Sequence, residues 1–120
     1  DLTVCLDNIL RHAGITRNTE YDLAQGKTAI QILEENMTGV QVLDLSGCSL
    51  DAVLYYVNQD IPVLAILEDG EAVLVTGFNE FNVVIMEPST GKLYKKGMND
   101  ATTWFAENGN HFITYMRTEN

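Results

Sequence analysis

Three side chains in this 120-residue chain could do chemistry: one thiol and two carboxylates. Cys5 opens an apolar helical stretch, and a helix N-terminus stabilises a thiolate and so makes a nucleophile. Glu71 and Glu87 each stand where an extended segment meets a turn, Glu71 after Asp69-Gly70 and Glu87 before Pro88. Two carboxylates so placed could share acid–base work or bind a cation. The plainer expectation is two solvated turn carboxylates. Cys48 precedes a helix-capping serine and is expected to pack rather than react; its spacing from Cys5 allows either a disulfide or two buried free thiols. His12 is expected to meet the C-terminal carbonyls of the first helix. His111 falls in the closing segment, and Trp104 reads as core. No CxxC is present and the two histidines are far apart, so neither a zinc site nor a cofactor is expected.

The elements that must position these groups are legible from periodicity. Val4 to Ala13 carries an apolar helical stripe stopped by Gly14. Asn18-Thr19-Glu20 caps a short helix through Ala24, and Thr28 to Met37 gives a third. Val40 to Leu45 alternates as a strand. Ser49 caps a helix ending near Asn58, and Val63 to Leu67 reads as a central strand covered on both faces. Asp69-Gly70 predicts a two-residue type I′ hairpin into a strand over Ala72 to Phe78. A third strand follows over Val83 to Met86, then a turn over Pro88 to Gly91. Asn99 is expected to cap a helix through Glu107, and Phe112 to Met116 closes the chain as a strand. Helices ahead of an antiparallel sheet make an α+β domain.

Composition excludes several classes. The net charge is −10 with seven Lys plus Arg, so no basic patch is expected for nucleic acid or an anionic membrane surface. Acidity reads chiefly as solubility, and no sequence cluster supports a preference for basic peptides. No apolar run reaches the ~20 residues that span a bilayer. The 46% hydrophobic content and single-domain length are those of one globular unit over residues 1–120. A start at Asp1, without Met or a signal-like segment, suggests a mature product or a piece cut from a longer chain.

Cys5-Leu6-Asp7-Asn8-Ile9-Leu10-Arg11-His12-Ala13-Gly14 resembles the opening of the bacteriocin-processing cysteine peptidases (family C39, within the papain-like group), where a catalytic Cys starts a helix that ends in glycine. Ile61-Pro62-Val63-Leu64-Ala65 is similar to that family's Pro-Val strand. Gly70 to Phe78 resembles the strand that opens with Gly-His, and Val84-Ile85-Met86-Glu87-Pro88 with Gly91 the segment that reads Asp-Pro and then Gly. Ala101 to Met116 matches the closing helix and strand.

The resemblance implies a papain-like fold, with N-terminal helices packed on an antiparallel sheet. It places Cys5 at the nucleophile position, Glu71 in place of the histidine base and Glu87 in place of the orienting aspartate. A carboxylate beside Cys5 raises the thiol pKa, where an imidazolium would lower it. The implied function is a catalytically degenerate, peptidase-like domain that binds a peptide or partner segment in a vestigial substrate cleft. The alternative is an active papain-like cysteine peptidase using Cys5 with a base not identifiable in this sequence, supplied by a preceding segment, another chain or a shifted alignment. The family's role in export implies a bacterial protein at the cell envelope or beyond.

Overall fold

The computed structural model describes residues 1–118. Helix α1 spans Leu2–His12, and the Asp1 side chain caps it by accepting from the Val4 amide at 3.2 Å. Its buried stripe is Cys5, Leu6, Ile9 and Leu10. It ends in a Schellman motif: Gly14 N–H donates to Arg11 and Ile15 N–H to Leu10, with Gly14 at φ +89°. Helix α2 (Glu20–Ala24) is one short turn, and α3 (Ala29–Asn36) starts with a capping box between Thr28 and Gln31.

Helix α4 (Leu50–Val57) is capped by the Ser49 hydroxyl. It ends in the same two bonds as α1, Asp60 N–H to Val57 and Ile61 N–H to Tyr56, but the left-handed position at φ 63° holds Asp60. A non-glycine residue there works against its own Cβ. Asp60→Gly is therefore expected to raise unfolding stability by about 0.5–1 kcal/mol, read as a higher urea midpoint. A lower midpoint would mean that the aspartate side chain holds the corner.

The strands β1 (Val40–Asp44), β2 (Val63–Ile66), β3 (Ala72–Phe78), β4 (Asn82–Glu87), β5 (Lys92–Gly97) and β6 (His111–Arg117) form one antiparallel sheet. Its order is β1-β6-β2-β3-β4-β5. Helix α5 (Met98–Glu107) joins β5 to β6. Alternation along the strands divides the core in two. Leu64, Leu74, Met86, Ile113 and Tyr115 meet α1 and α3 on one face. Val63, Ala65, Val75, Ile85 and Phe112 meet α4 and α5 on the other. Strand β2 lies between β6 and β3 with Val63, Leu64 and Ala65 all buried, the doubly covered strand that its apolar run implied. The α+β architecture is as the sequence indicated, with helices on both faces of the sheet.

Two local expectations are corrected, and one strand was not anticipated. The Asp69-Gly70 corner is not a type I′ turn. Gly70 has positive φ (83°) but Asp69 does not, and Leu67 and Glu71 pair through Leu67 N–H donating to the Glu71 carbonyl. This is a three-residue loop closed by a left-handed glycine. Strand β5 had no alternation to reveal it, because its first four residues are all exposed. Helix α5 begins at Met98 rather than after Asn99, because the Met98 amide is satisfied by the Phe81 carbonyl at 2.8 Å across the neighbouring hairpin.

Candidate functional site

Helix α1 lies on the sheet with its N-terminus beside the start of β3. The main-chain nitrogen of Asp1 is 3.3 Å from Glu71 Oε1, and both side chains are exposed. The β2–β3 loop fixes Glu71: its amide donates to Asp69 Oδ1 at 2.9 Å, and its carbonyl accepts from Leu67. Glu87 ends β4 directly across from Lys92. Its Oε1 accepts from both the amide (3.2 Å) and the hydroxyl (3.1 Å) of Ser89. That carboxylate thus holds its own turn, as a solvated turn residue would.

Cys5 lies inside the helix rather than at its start. Its amide donates to the Asp1 carbonyl, and its side chain is fully buried with Leu6, Ile9, Leu74 and Met86. Burial pushes the thiol up to about 12. The positive amino end of the chain opposes the shift, and the negative charges of Glu87 and Glu71 add to it. The fold therefore brings Glu71 and Glu87 each within electrostatic reach of Cys5, with a sign that suppresses the thiolate. At pH 7 a thiol at about 12 is ionised in only about one molecule in 10⁵.

This shift has a consequence for stability. The folded-state pKa lies above the unfolded value, so the unfolded chain sheds the Cys5 proton first. Stabilisation is intact below about pH 9 and is lost as pH rises from about 9 to about 12, at about 1 kcal/mol per pH unit. The denaturant midpoint should fall between pH 8 and pH 10.5, and fall less in Cys5→Ala. An equal fall in both proteins would show that Cys5 does not carry the effect.

The remaining candidates have structural partners. Cys5 and Cys48 are free thiols, the second half-buried, so the disulfide alternative is set aside. His12 Nδ1 is 2.8 Å from the Tyr115 hydroxyl, which ties the end of α1 to β6 instead of serving the helix carbonyls. His111 sits near Asp44, whose carboxyl is lowered mainly by hydrogen bonds from Ser46 and slightly by that histidine. Trp104 packs on Phe105, and Lys96 Nζ lies 4.7 Å from its ring centre. Among the described residues no group of three His, Cys, Asp or Glu could hold a metal ion.

A groove of about 400 Å³ runs between α1 and β3–β5. Its floor is Leu74, Met86 and Leu93, which pair across three strands. Asn8, His12 and Asp60 contribute polar walls.

This arrangement superposes on the crystal structure of a Bacillus anthracis protein provisionally described as a C39-like peptidase. The TM-score is 0.81 over 98% of this chain and 88% of that chain, at 15% sequence identity. The fold is that of a C39-like peptidase. No family model and no curated protein matches the sequence. Within the C39-like fold, the residue that sequence reasoning missed is Asp1. It occupies the N-cap facing Glu71, one helical turn before Cys5. The available signal was its type, since aspartate is a favoured N-cap residue.

Proposed function

We propose that this domain keeps a C39-like peptidase fold without peptidase chemistry, and holds a peptide or partner segment in the groove beside α1. The observation that carries this reading is the corner between α1 and β3. A thiolate gains most from a helix at its very N-terminus, and the residue there is Asp1, facing Glu71. Glu71 meets the Asp1 main-chain nitrogen there, and the Asp1 carboxylate accepts from the Val4 amide, so the corner holds neither a thiol nor an imidazole. Cys5 is sealed in the core with its proton held, so its position in the sequence pattern does not translate into a reactive group. The groove supplies what a binding function needs: an apolar floor with a few polar groups at its walls.

From the sequence resemblance to peptidases that act in export, we also propose that the domain works in a bacterial cell envelope or beyond. Peptides selected from a display library on the wild-type chain are expected to bind Cys5→Ala equally well, and to lose about tenfold or more in affinity to Leu93→Asp at the groove rim. Binding that tolerates Leu93→Asp would move the site elsewhere. Loss of binding in a folded Cys5→Ala would implicate the thiol.

A further inference from the structure

Strand β5 is an edge of the sheet, with β4 on one side and, among the described residues, no strand on the other. An open edge presents unpaired amides and carbonyls to any extended segment. Proteins blunt such edges with short strands, bulges, proline or charge. β5 has six residues and contains no proline; the irregularity in register lies between β3 and β4. What β5 does carry is lysine. Lys92, Lys95 and Lys96 are three of the seven basic residues in a chain of net charge −10, gathered in five consecutive positions. Between them stand Leu93, 62% exposed, and Tyr94, 39% exposed.

Charge alone would explain a guarded edge, but the sign is selective. Pairing β5 with a second copy brings lysines against lysines, which costs energy across a ladder. An acidic strand meets the same lysines favourably. Glu87, directly across from Lys92, offsets part of that one lysine's charge, while exposed charges beyond about 8 Å are largely screened at physiological ionic strength, which leaves Lys95 and Lys96 to set the sign of the edge. The pattern thus disfavours self-association while admitting one class of partner, as specific interfaces do.

The faces of β5 set the pattern further. Leu93 pairs with Met86, which pairs with Leu74, so the groove floor ends at this edge. A seventh strand laid along β5 would extend that floor with its own apolar residue. Lys95 shares that face with Leu93. Lys92 and Lys96 share the other face with Tyr94, as the contact between Lys96 and Trp104 of α5 shows.

We propose that the free edge of β5 is the docking strand for an extended acidic segment of a partner protein, with apolar residues placed against Leu93 and Tyr94. This rests on the reading that the domain binds a segment without cutting it, and names the chemistry of that segment. Read antiparallel from Lys96 to Lys92, the complementary order is acidic, acidic, apolar, apolar, acidic. Main-chain bonds would supply affinity and the alternating side chains specificity.

The test uses a fluorescein-labelled nine-residue peptide with Glu-Glu-Val-Val-Glu at its centre, and a twin with lysines for glutamates. Anisotropy is measured with the whole chain, amide NMR shifts map the contact, and mass spectrometry follows the peptide. The acidic peptide should bind, shift amides of β5 and remain intact. The lysine twin should not bind. Lys92→Glu with Lys95→Glu, both exposed changes, should weaken binding about tenfold or more. Absent binding, equal binding of the twin, or indifference to the charge reversal would overturn the edge assignment while leaving the groove reading standing. Cleavage of the peptide would instead overturn the non-catalytic reading.

Discussion

Iodoacetamide at pH 8 should alkylate Cys48 in the folded protein and leave Cys5 untouched. The difference has two sources. Cys5 is fully buried, whereas Cys48 is half-buried. Its thiol is also pushed up to about 12, so at a given pH it holds about 10³ times less thiolate than a free cysteine near ~8.5. In the native protein, modification of Cys5 must wait for opening of the α1 core, so its rate should track global stability. In denaturant the two cysteines should label alike. Peptide mapping by mass spectrometry reads both. Labelling of Cys5 as fast as Cys48 in the native state would show an accessible, activated thiol and return the nucleophile role to it.

The second large effect comes from placing a thiol and an imidazole at the corner between α1 and β3. In a background with Cys5→Ala and Cys48→Ala, the pair Asp1→Cys and Glu71→His puts a thiol at the N-cap of α1 and an imidazole where a carboxylate now meets that residue's main-chain nitrogen. A thiol at a helix N-terminus beside His⁺ titrates at roughly 3.5–7.5 instead of ~8.5. Its alkylation rate at pH 6.5 should therefore exceed that of Asp1→Cys with Glu71 retained by about tenfold or more. Loss of the aspartate cap costs about 1 kcal/mol, small enough for the fold to survive. Glu71→His alone should leave Cys5 silent, because burial dominates its pKa. Should the new thiol titrate like a free cysteine, the Asp1–Glu71 corner would not activate a thiol, and the reading built on that corner would fall.

These expectations show where the sequence was legible. Apolar periodicity gave the helices and the buried strands, because burial on one or two faces leaves a period that composition alone can reveal. Lys92–Gly97 had no such period: a strand at the sheet edge whose first four residues are exposed buries too little to pattern its residues. Met98 and Phe81 set the start of α5 through a bond between elements distant in sequence, which no local capping signal encodes. At Gly70 the dipeptide announced a hairpin, while loop length decided which turn formed.

The candidate site was legible in part. Glu71 and Glu87 lie at strand corners near Cys5, as the pattern suggested, and the fold adds their charges to the suppression of its thiolate. What sequence spacing did not reveal is the depth of Cys5. One helical turn separates a residue at a helix mouth from one in the core, and the start of α1 is fixed by the Asp1 cap rather than by the first apolar residue. That single turn separates an exposed cap from a fully buried side chain.

The central claim is that this C39-like fold binds without cutting, and a search for new peptide termini tests it most directly. The whole chain would be incubated with a proteome-derived peptide library from pH 5 to pH 9, alongside Cys5→Ala, and the termini compared by mass spectrometry. The expected result is no terminus that distinguishes the wild type from Cys5→Ala at any pH. Termini that appear with the wild type and vanish with Cys5→Ala would contradict it and make Cys5 a working nucleophile.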